Sequence, residues 1–261
     1  MRCGVSTSCF YPLQTEEALK QAALTGAPCT EVFFNTFGEI EPEYISRLKF
    51  ISQEYSLPVV SVHPFSSNME PFFFATDYYG RLQDGIQLYK KLFAAAQSLG
   101  AHIAVMHGDY RESFYEFKDY CKNYKTLQNI ARQYGVHLCQ ENVVRCCCAT
   151  DTAVSRMRDI LNDEAEFVLD TKQALRAGIR PEDMLKAMNG RLAHIHISDY
   201  SDEHDCVLPG KGKMNYTAFF NRLKQCGYNA DMVIELYRTG FEIPVQLEES
   251  IKLLNRLAGR E

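Results

Sequence analysis

The sequence has no long uninterrupted run of apolar residues, and its longest apolar segments are only a handful of residues long. Because a membrane-spanning helix needs roughly 18 or more such residues, none is expected. The sequence also has no excess of basic residues, since 28 Lys and Arg stand against 33 Asp and Glu, a formal net charge of −5. Wide contact with a phosphate backbone needs basic side chains, so this balance disfavours nucleic acid as the main partner.

The N-terminal segment MRCGVSTSCF lacks the apolar stretch and the small-residue cleavage site of a secretory signal. The ten cysteines include no C-x-x-C pair, which argues against a zinc ribbon and a thioredoxin-like motif. Three consecutive cysteines at 146–148 have poor geometry for bridging one another. We therefore expect reduced, mostly buried cysteines and a cytoplasmic location.

Strand-like and helix-like segments alternate along the whole chain, and no linker rich in Pro, Ser or Gly interrupts them. Short segments rich in Val, Ile or Phe predict eight strands, at residues 2–10, 30–34, 58–63, 102–107, 136–141, 166–170, 192–198 and 231–236. Helices are predicted between them, at 16–24, 42–55, 78–99, 114–134, 152–161, 181–188, 216–225 and 245–257. This alternation predicts an α/β fold, a single (β/α)8 TIM barrel over residues 1–261.

A doubly wound open sheet is the main alternative fold. It usually has a Gly-rich first βα turn, and the corresponding segment here, SCFYPLQT at 8–15, has none. One predicted connection, residues 64–80, is long and rich in aromatic residues. It leaves three interpretations open: a lid, a cover for the barrel rim, or a contact between subunits of a homo-oligomer.

Side chains of the types that bind metals stand at or near the predicted strand ends. They are His63, His107, Glu141, Asp170, His196 and Glu235, on predicted strands three to eight. In a parallel barrel these strand ends share one rim, which carries the active site. Several inward carboxylates without a counter-charge would repel one another and lose hydration, and a divalent cation removes that cost. The residues therefore predict a metal site whose mixed donors suit Zn, Mn, Co or Fe and tolerate Mg.

Short motifs in the second half of the chain carry a family resemblance. They are QEN at 140–142, LDTKQALRAG at 169–178, HIHISD at 194–199, LPGKGKMNY at 208–216 and IEL at 234–236. With these motifs the chain resembles the xylose isomerase-like barrels. This group contains sugar-phosphate isomerases and epimerases, with the endonuclease IV group of abasic-site nucleases as relatives. The resemblance covers essentially the whole chain.

For the epimerase-type members, the resemblance implies one divalent metal (Mn, Mg, Co or Zn) held by Glu141, Asp170, His196 and Glu235. It also implies that the two glutamates act as acid and base on opposite faces of a small sugar or sugar phosphate. One glutamate would remove a proton to give a metal-stabilised cis-enediolate, and the other would return one. The expected activity is thus that of an isomerase or epimerase of carbohydrate metabolism. Which glutamate has which role stays open.

The nuclease relatives supply the second hypothesis, an abasic-site endonuclease. In them His63 and His107 match ligands of a second metal that shares Glu141, and Asp202 and His204 would belong to a third site. Gln173 stands where both groups have a histidine, which removes one ligand of that third site. We favour hydrogen bonds from His63 and His107 to sugar hydroxyls and keep a second metal as the alternative. A keto-sugar or inosose-type dehydratase is the third hypothesis, and a sugar- or metal-binding protein without activity is the fourth.

Further polar residues follow the predicted strand ends. Gln173, Arg145 and Lys211 are candidate substrate contacts, with Lys213 and Arg238 as further cations; the alternative is an ordinary solvated loop charge. Asp199 is predicted to orient His196 or a neighbouring loop. His194 precedes His196 by two residues, so we expect it deeper in the barrel as a hydrogen-bonded core histidine. Glu31 is interpreted either as a rim residue or as one half of a buried ion pair.

Overall fold

Eight parallel strands form a closed barrel in the computed structural model, which describes residues 1–259. The strands pair in sequence order, and the last pairs with the first. They are β1 (Cys3–Ser6), β2 (Thr30–Phe33), β3 (Val59–His63), β4 (Ile103–Met106), β5 (His137–Glu141), β6 (Phe167–Asp170), β7 (Leu192–Ile197) and β8 (Met232–Ile234). The predicted (β/α)8 TIM barrel is thereby confirmed.

Helices connect the strands around the outside of the barrel. They are α1 (Thr15–Leu24), α2 (Pro42–Glu54), α3 (Glu70–Phe74), α4 (Tyr79–Leu99), α5 (Phe117–Gln133), α6 (Asp151–Ile160), α7 (Thr171–Arg176), α8 (Pro181–Met188), α9 (Tyr216–Gln225) and α10 (Pro244–Leu257). The longest, α4, buries one apolar face that includes Ile86, Tyr89 and Phe93. It ends at Gly100, whose φ of 79° is the left-handed conformation that glycine adopts without strain.

Several predicted segments differ from the structure. β1 ends at Ser6, not at residue 10, because the Ser6 hydroxyl accepts a hydrogen bond from the Ser8 amide and the chain turns into a short 3-10 helix, Thr7–Phe10. The helix predicted from residue 114 begins at Phe117. The connection after β6 contains α7 as well as the predicted helix 181–188. With six residues, α7 is too short for an apolar periodicity to reveal it.

The long connection 64–80 contains α3, which the sequence analysis treated as loop. Phe73 and Phe74 are buried against the helical layer, whereas Phe72, Tyr78 and Tyr79 are exposed. Phe74 packs against Tyr89 of α4, so the buried aromatic residues belong to the helical layer, and the cover over the barrel rim stays a prediction. The exposed three leave the lid and the subunit contact open as predictions.

The barrel interior changes from apolar to polar along its axis. Side chains two residues apart in a strand point to the same side, so each inward apolar residue can precede an inward rim residue. A small apolar cluster in the interior contains Val105, Cys139 and Val168, which precede His107, Glu141 and Asp170 by two positions. The alternation thus turns the ligand-type ends of β4, β5 and β6 inward, above apolar residues of the same strands.

The cysteines and the helices also bear on the sequence expectations. Seven of the ten cysteines are buried. Burial raises the pKa of the Cys3, Cys121 and Cys139 thiols, and that of Cys9 to about 12. Among residues 1–259, no helix combines the length and the apolar character needed to cross a membrane.

Candidate metal centre and cavity

The structure brings Glu141, Asp170, His196 and Glu235 together at the C-terminal ends of β5, β6, β7 and β8. One donor atom from each lies within 4.8 Å of the other three. His196 Nδ1 is 3.2 Å from Glu141 Oε1 and 3.6 Å from Glu235 Oε2. This is the four-residue centre that the family resemblance implies.

Two donor atoms of the four-residue centre bear on its fit to a divalent cation. Glu141 Oε2 and Asp170 Oδ2 are buried and make no hydrogen bond of good geometry to any described residue. Buried carboxylate oxygens without partners are costly, and a coordinated cation removes that cost. Three carboxylates and one imidazole are a ligand set that Mn, Co, Zn or Mg accepts. The four residues therefore fit such a metal.

Lys172 also reaches the four-residue centre. Its Nζ lies 2.9 Å from Glu235 Oε2 and 3.1 Å from Asp170 Oδ2, and the residue is only 4% exposed. Burial alone would raise the pKa of Glu235, but the charges of Lys172 and His196 outweigh it and lower that pKa to about 2. Burial raises the pKa of Asp170 to about 7, against the opposing charge of Lys172. Lys172 thus helps to keep Glu235 ionised, whereas burial brings the pKa of Asp170 close to neutral pH.

Glu31 holds His196 from the opposite side. Glu31 Oε2 lies 3.1 Å from His196 Nε2 and accepts a hydrogen bond from the Ser61 hydroxyl at 2.8 Å. Its other oxygen accepts one from the Ser6 hydroxyl at 3.1 Å. Since β2 and β7 are not neighbours in the sheet, the contact between Glu31 and His196 crosses the barrel interior. With Nε2 bonded to Glu31, Nδ1 of His196 is directed at Glu141 and Glu235.

His194 lies below His196 as a hydrogen-bonded core residue, in agreement with the sequence interpretation. Its Nδ1 is 3.0 Å from the carbonyl oxygen of Asp231, and its Nε2 is 3.1 Å from the Ser61 hydroxyl. Of the two interpretations of Glu31, the structure shows the buried one: the residue has no exposed surface and lies among His194, His196 and two serines.

His63 and His107 form a second group with Glu141. The Nε2 atoms of the two imidazoles are 3.0 Å apart. Glu141 Oε2 lies 2.8 Å from His107 Nε2 and 3.6 Å from His63 Nε2. The charges of His107 and His196 lower the pKa of Glu141, although burial opposes them. This group can contact a hydroxyl or hold a cation, so both predicted uses remain proposals.

The other predicted substrate contacts differ in position. Gln173 and Arg145 line the same cavity as the glutamates; the Gln173 Oε1 accepts a hydrogen bond from the Val144 amide at 3.1 Å. Lys211 is not among the residues brought to the cavity, since its exposed ammonium lies 3.5 Å from Glu249 Oε2.

The loop after β7 explains why Lys211 points away. The carboxylate of Asp199 accepts hydrogen bonds from the backbone amides of Gly210, Gly212 and Met214 at 2.9–3.1 Å. A Cβ at residue 212 would lie 2.4 Å from an Asp199 oxygen, so glycine permits this close approach. Asp199 therefore orients the loop, one of its two predicted roles, and the His196 ring instead contacts Glu31 and Glu141. Asp202 and His204 are exposed on this loop and belong to none of the metal-type groups among residues 1–259.

A cavity of about 380 Å³ opens above the two groups. Glu141 and Glu235 line it, together with the two imidazoles of His63 and His107. Three cationic side chains also reach it: Arg145, Lys172 and Arg238. The size suits a small molecule, and the polar groups converge on one side of it.

Comparison with known proteins agrees with this architecture, since residues 19–257 match the family model of the xylose isomerase-like TIM barrel. The chain belongs to this family. One curated relative is the inosose isomerase of Halalkalibacterium halodurans, 26% identical, with 81% of this chain and 79% of the relative aligned. Another, the uncharacterized protein ML2432 of Mycobacterium leprae, is 24% identical over 97% of this chain and 96% of its own.

Two solved structures have the same fold as this xylose isomerase-like barrel. The D-psicose 3-epimerase of Clostridium cellulolyticum H10 superposes with a TM-score of 0.78 at 12% identity, covering 99% of each chain. The 3-keto-D-glucoside 4-epimerase of E. coli superposes with a TM-score of 0.77 at 18% identity, covering 98% of this chain and 99% of its own. At these identities the likeness establishes the barrel and not the reaction.

Lys172, which contacts two residues of the four-residue centre, was not identified from the sequence. A signal was present, because a lysine in the first turn of a helix opposes the helix dipole. Lys172 stands in the first turn of α7, two residues after the rim Asp170. An unfavourable cation next to a predicted ligand is a reason to expect a carboxylate partner.

Proposed function

We propose that this protein is a divalent-metal-dependent isomerase or epimerase that acts on a small sugar or sugar phosphate. One observation carries the proposal: two glutamates, Glu141 and Glu235, face one small cavity from within a four-residue donor set. The activities of the similar proteins, an inosose isomerase and sugar epimerases, support the same reaction class.

Glu141, Asp170, His196 and Glu235 would hold the metal. When bound, it would supply Lewis acidity that polarises a substrate carbonyl and acidifies the adjacent C–H bond. The glutamates would then transfer the protons, with a cis-enediolate of the sugar between the two transfers. Return of the proton to the opposite face gives an epimer, and return to the neighbouring carbon gives an isomer.

The surroundings of the two glutamates favour different roles for them. Glu235 borders the cavity and its pKa lies well below neutral pH, so it is ionised and can take the proton from carbon. Glu141 is in contact with His107 at 2.8 Å and has a buried oxygen free of well-aligned hydrogen bonds. The Nε2 of His107 at that distance can relay a proton from the cavity to Glu141, which then returns it to carbon. We therefore assign Glu235 as base and Glu141 as acid in one direction, with the roles exchanged in reverse.

Arg145 and Arg238 favour a substrate with an anionic group. Both line the cavity, and neither guanidinium has a carboxylate partner within 4.0 Å among residues 1–259. Arg145 instead contacts Ser67 Oγ at 3.3 Å and Asn68 Oδ1 at 3.4 Å, and Arg238 donates to the carbonyl oxygen of Phe241 at 2.7 Å. A phosphate or carboxylate can replace these weak partners. His63, His107 and Gln173 would contact the sugar hydroxyls.

The proposal is tested on the purified protein by elemental analysis and a screen of ketoses and ketose phosphates, with product detection by chromatography and mass. Epimers and isomers keep the substrate mass, whereas a dehydratase product has lost water. Replacing Glu235 by Gln, or Glu141 by Gln, should lower kcat by about 10²–10⁴-fold. The matched control is Glu249→Gln, an exposed carboxylate outside the cavity, which should change nothing. Near-normal turnover in both glutamate variants would refute the assignment.

A second candidate, an abasic-site endonuclease, has one observation in its favour. His63, His107 and Glu141 place three donor atoms within 4.8 Å of one another, which fits a second ion. The net charge of −5 and the missing histidine at Gln173 disfavour it. Incubation with an abasic duplex under Zn²⁺, Mn²⁺ or Mg²⁺ decides the matter, since intact DNA under all three excludes the nuclease.

A further inference from the structure

Lys172 occupies the side of the four-residue centre that is formed by Asp170 and Glu235. Asp170 uses its two oxygens differently: Oδ1 accepts a hydrogen bond from the Gln173 amide at 2.9 Å and begins α7, whereas Oδ2 faces the centre. The Lys172 ammonium lies 3.1 Å from this Oδ2 and 2.9 Å from Glu235 Oε2. The same Glu235 oxygen lies 3.6 Å from His196 Nδ1. The ammonium therefore touches the oxygens that the metal would need.

The position of the Lys172 ammonium matters because of the charges that surround it. Two buried carboxylates side by side repel each other, and a cation between them removes the repulsion. An ammonium does this with one positive charge, and a divalent metal does it with two. The two cations also repel each other strongly at such short range, because the site is largely shielded from water. Occupation by one thus disfavours occupation by the other.

We propose that Lys172 is an internal counter-cation that competes with the divalent metal for Asp170 and Glu235. The inference rests on the proposed function, because it takes these residues as metal ligands. In the metal-free protein Lys172 neutralises the two carboxylates and keeps them close together. When a metal binds, the ammonium moves from them into the cavity that Lys172 also lines, where it adds a positive charge next to the substrate.

Metal affinity of chelator-stripped protein, measured by titration calorimetry with Mn²⁺ and separately with Zn²⁺, tests this competition. Lys172→Met removes the charge and keeps an unbranched side chain. It should tighten metal binding by about tenfold or more, because the competing cation is gone. Lys252→Met is the matched control, an exposed lysine on α10 that pairs with Glu248, and its metal affinity should equal that of the wild type.

A second variant covers the case in which Lys172→Met does not fold. Lys172→Gln retains hydrogen bonding to the carboxylates without the charge, and its Tm is measured with and without Mn²⁺. Its metal-free Tm should be lower than that of the wild type, and its metal-induced rise in Tm should be larger. If the wild type binds metal and the Lys172 variants bind it equally well or more weakly, the proposed competition is overturned. The metal-dependent function is then unaffected. Absence of metal binding in all variants and in the wild type would overturn the metal-dependent function together with the inference.

Discussion

The two sides of His196 are built differently. On the closed side, Glu31, Ser61 and His194 have no exposed surface and hydrogen-bond to one another or to their neighbours. On the open side, Glu235 is 13% exposed and borders the cavity, and Asp170 Oδ2 has an ion-pair contact without hydrogen-bond geometry. The two sides of His196 therefore have different roles. The closed side fixes the orientation of one imidazole, and the open side keeps charges that can be rearranged by a ligand.

The largest effect is expected from a substitution on the closed side. Glu31→Gln leaves an amide that can accept from fewer of the surrounding donors, so His196 loses its fixed orientation. We expect metal affinity to fall by about 10–100-fold, and the free energy of unfolding to fall by about 1–3 kcal/mol. Metal titration and urea unfolding measure the two quantities.

Glu70→Gln is the matched control for this prediction. Glu70 is equally buried and accepts hydrogen bonds from the Tyr89 hydroxyl at 2.7 Å and the Gly108 amide at 2.5 Å. It should lose stability to a similar extent while the affinity of the four-residue centre is retained. An equal loss of metal affinity in both variants would show that the closed side has no special role.

A smaller effect is expected from Ser61→Ala, which sharpens the comparison within the closed side. The variant removes one donor to Glu31 and one contact to His194 but leaves the contact between Glu31 and His196 intact. The free energy of unfolding should fall by about 1 kcal/mol, and metal affinity should change by less than about threefold. A loss of metal affinity as large as that of Glu31→Gln would mean that Glu31 can orient His196 only when Ser61 is also present.

The smallest effect is expected at the N-terminal end of β5, away from both sides of His196. His137 Nδ1 lies 2.9 Å from Glu166 Oε1, and this hydrogen bond raises the pKa of His137 above its ordinary 6.5. The stabilisation is therefore complete below about pH 6.5 and is lost as the pH rises through the higher folded-state pKa. His137→Ala should cost about 1 kcal/mol or less at pH 5.5, and less still at pH 8.5. A larger loss of stability at pH 8.5 than at pH 5.5 would contradict the expected direction of the pH dependence.

Much of the open side could be predicted from the sequence, because strand ends are a local property. Glu141, Asp170 and Glu235 each follow a short apolar strand, and the barrel brings such ends to one rim. The closed side could not be predicted in the same way. The contact between Glu31 and His196 joins β2 to β7 across the interior, and no spacing along the chain indicates which inward side chains meet there. Lys172 was missed for a related reason, since α7 is too short to be recognised by its periodicity.

The loop wrapped around Asp199 has a consequence for how this barrel can change over generations. One carboxylate fastens Gly210, Gly212 and Met214, so the loop is anchored by its backbone, and most of its side chains are not needed for that anchor. The exposed residues of this loop, from 202 to 205, can then be exchanged without disturbing β7. A lineage that retains Asp199 and Gly212 keeps a fixed attachment point, and new sequences can be tried at this edge of the rim while the four-residue centre stays intact.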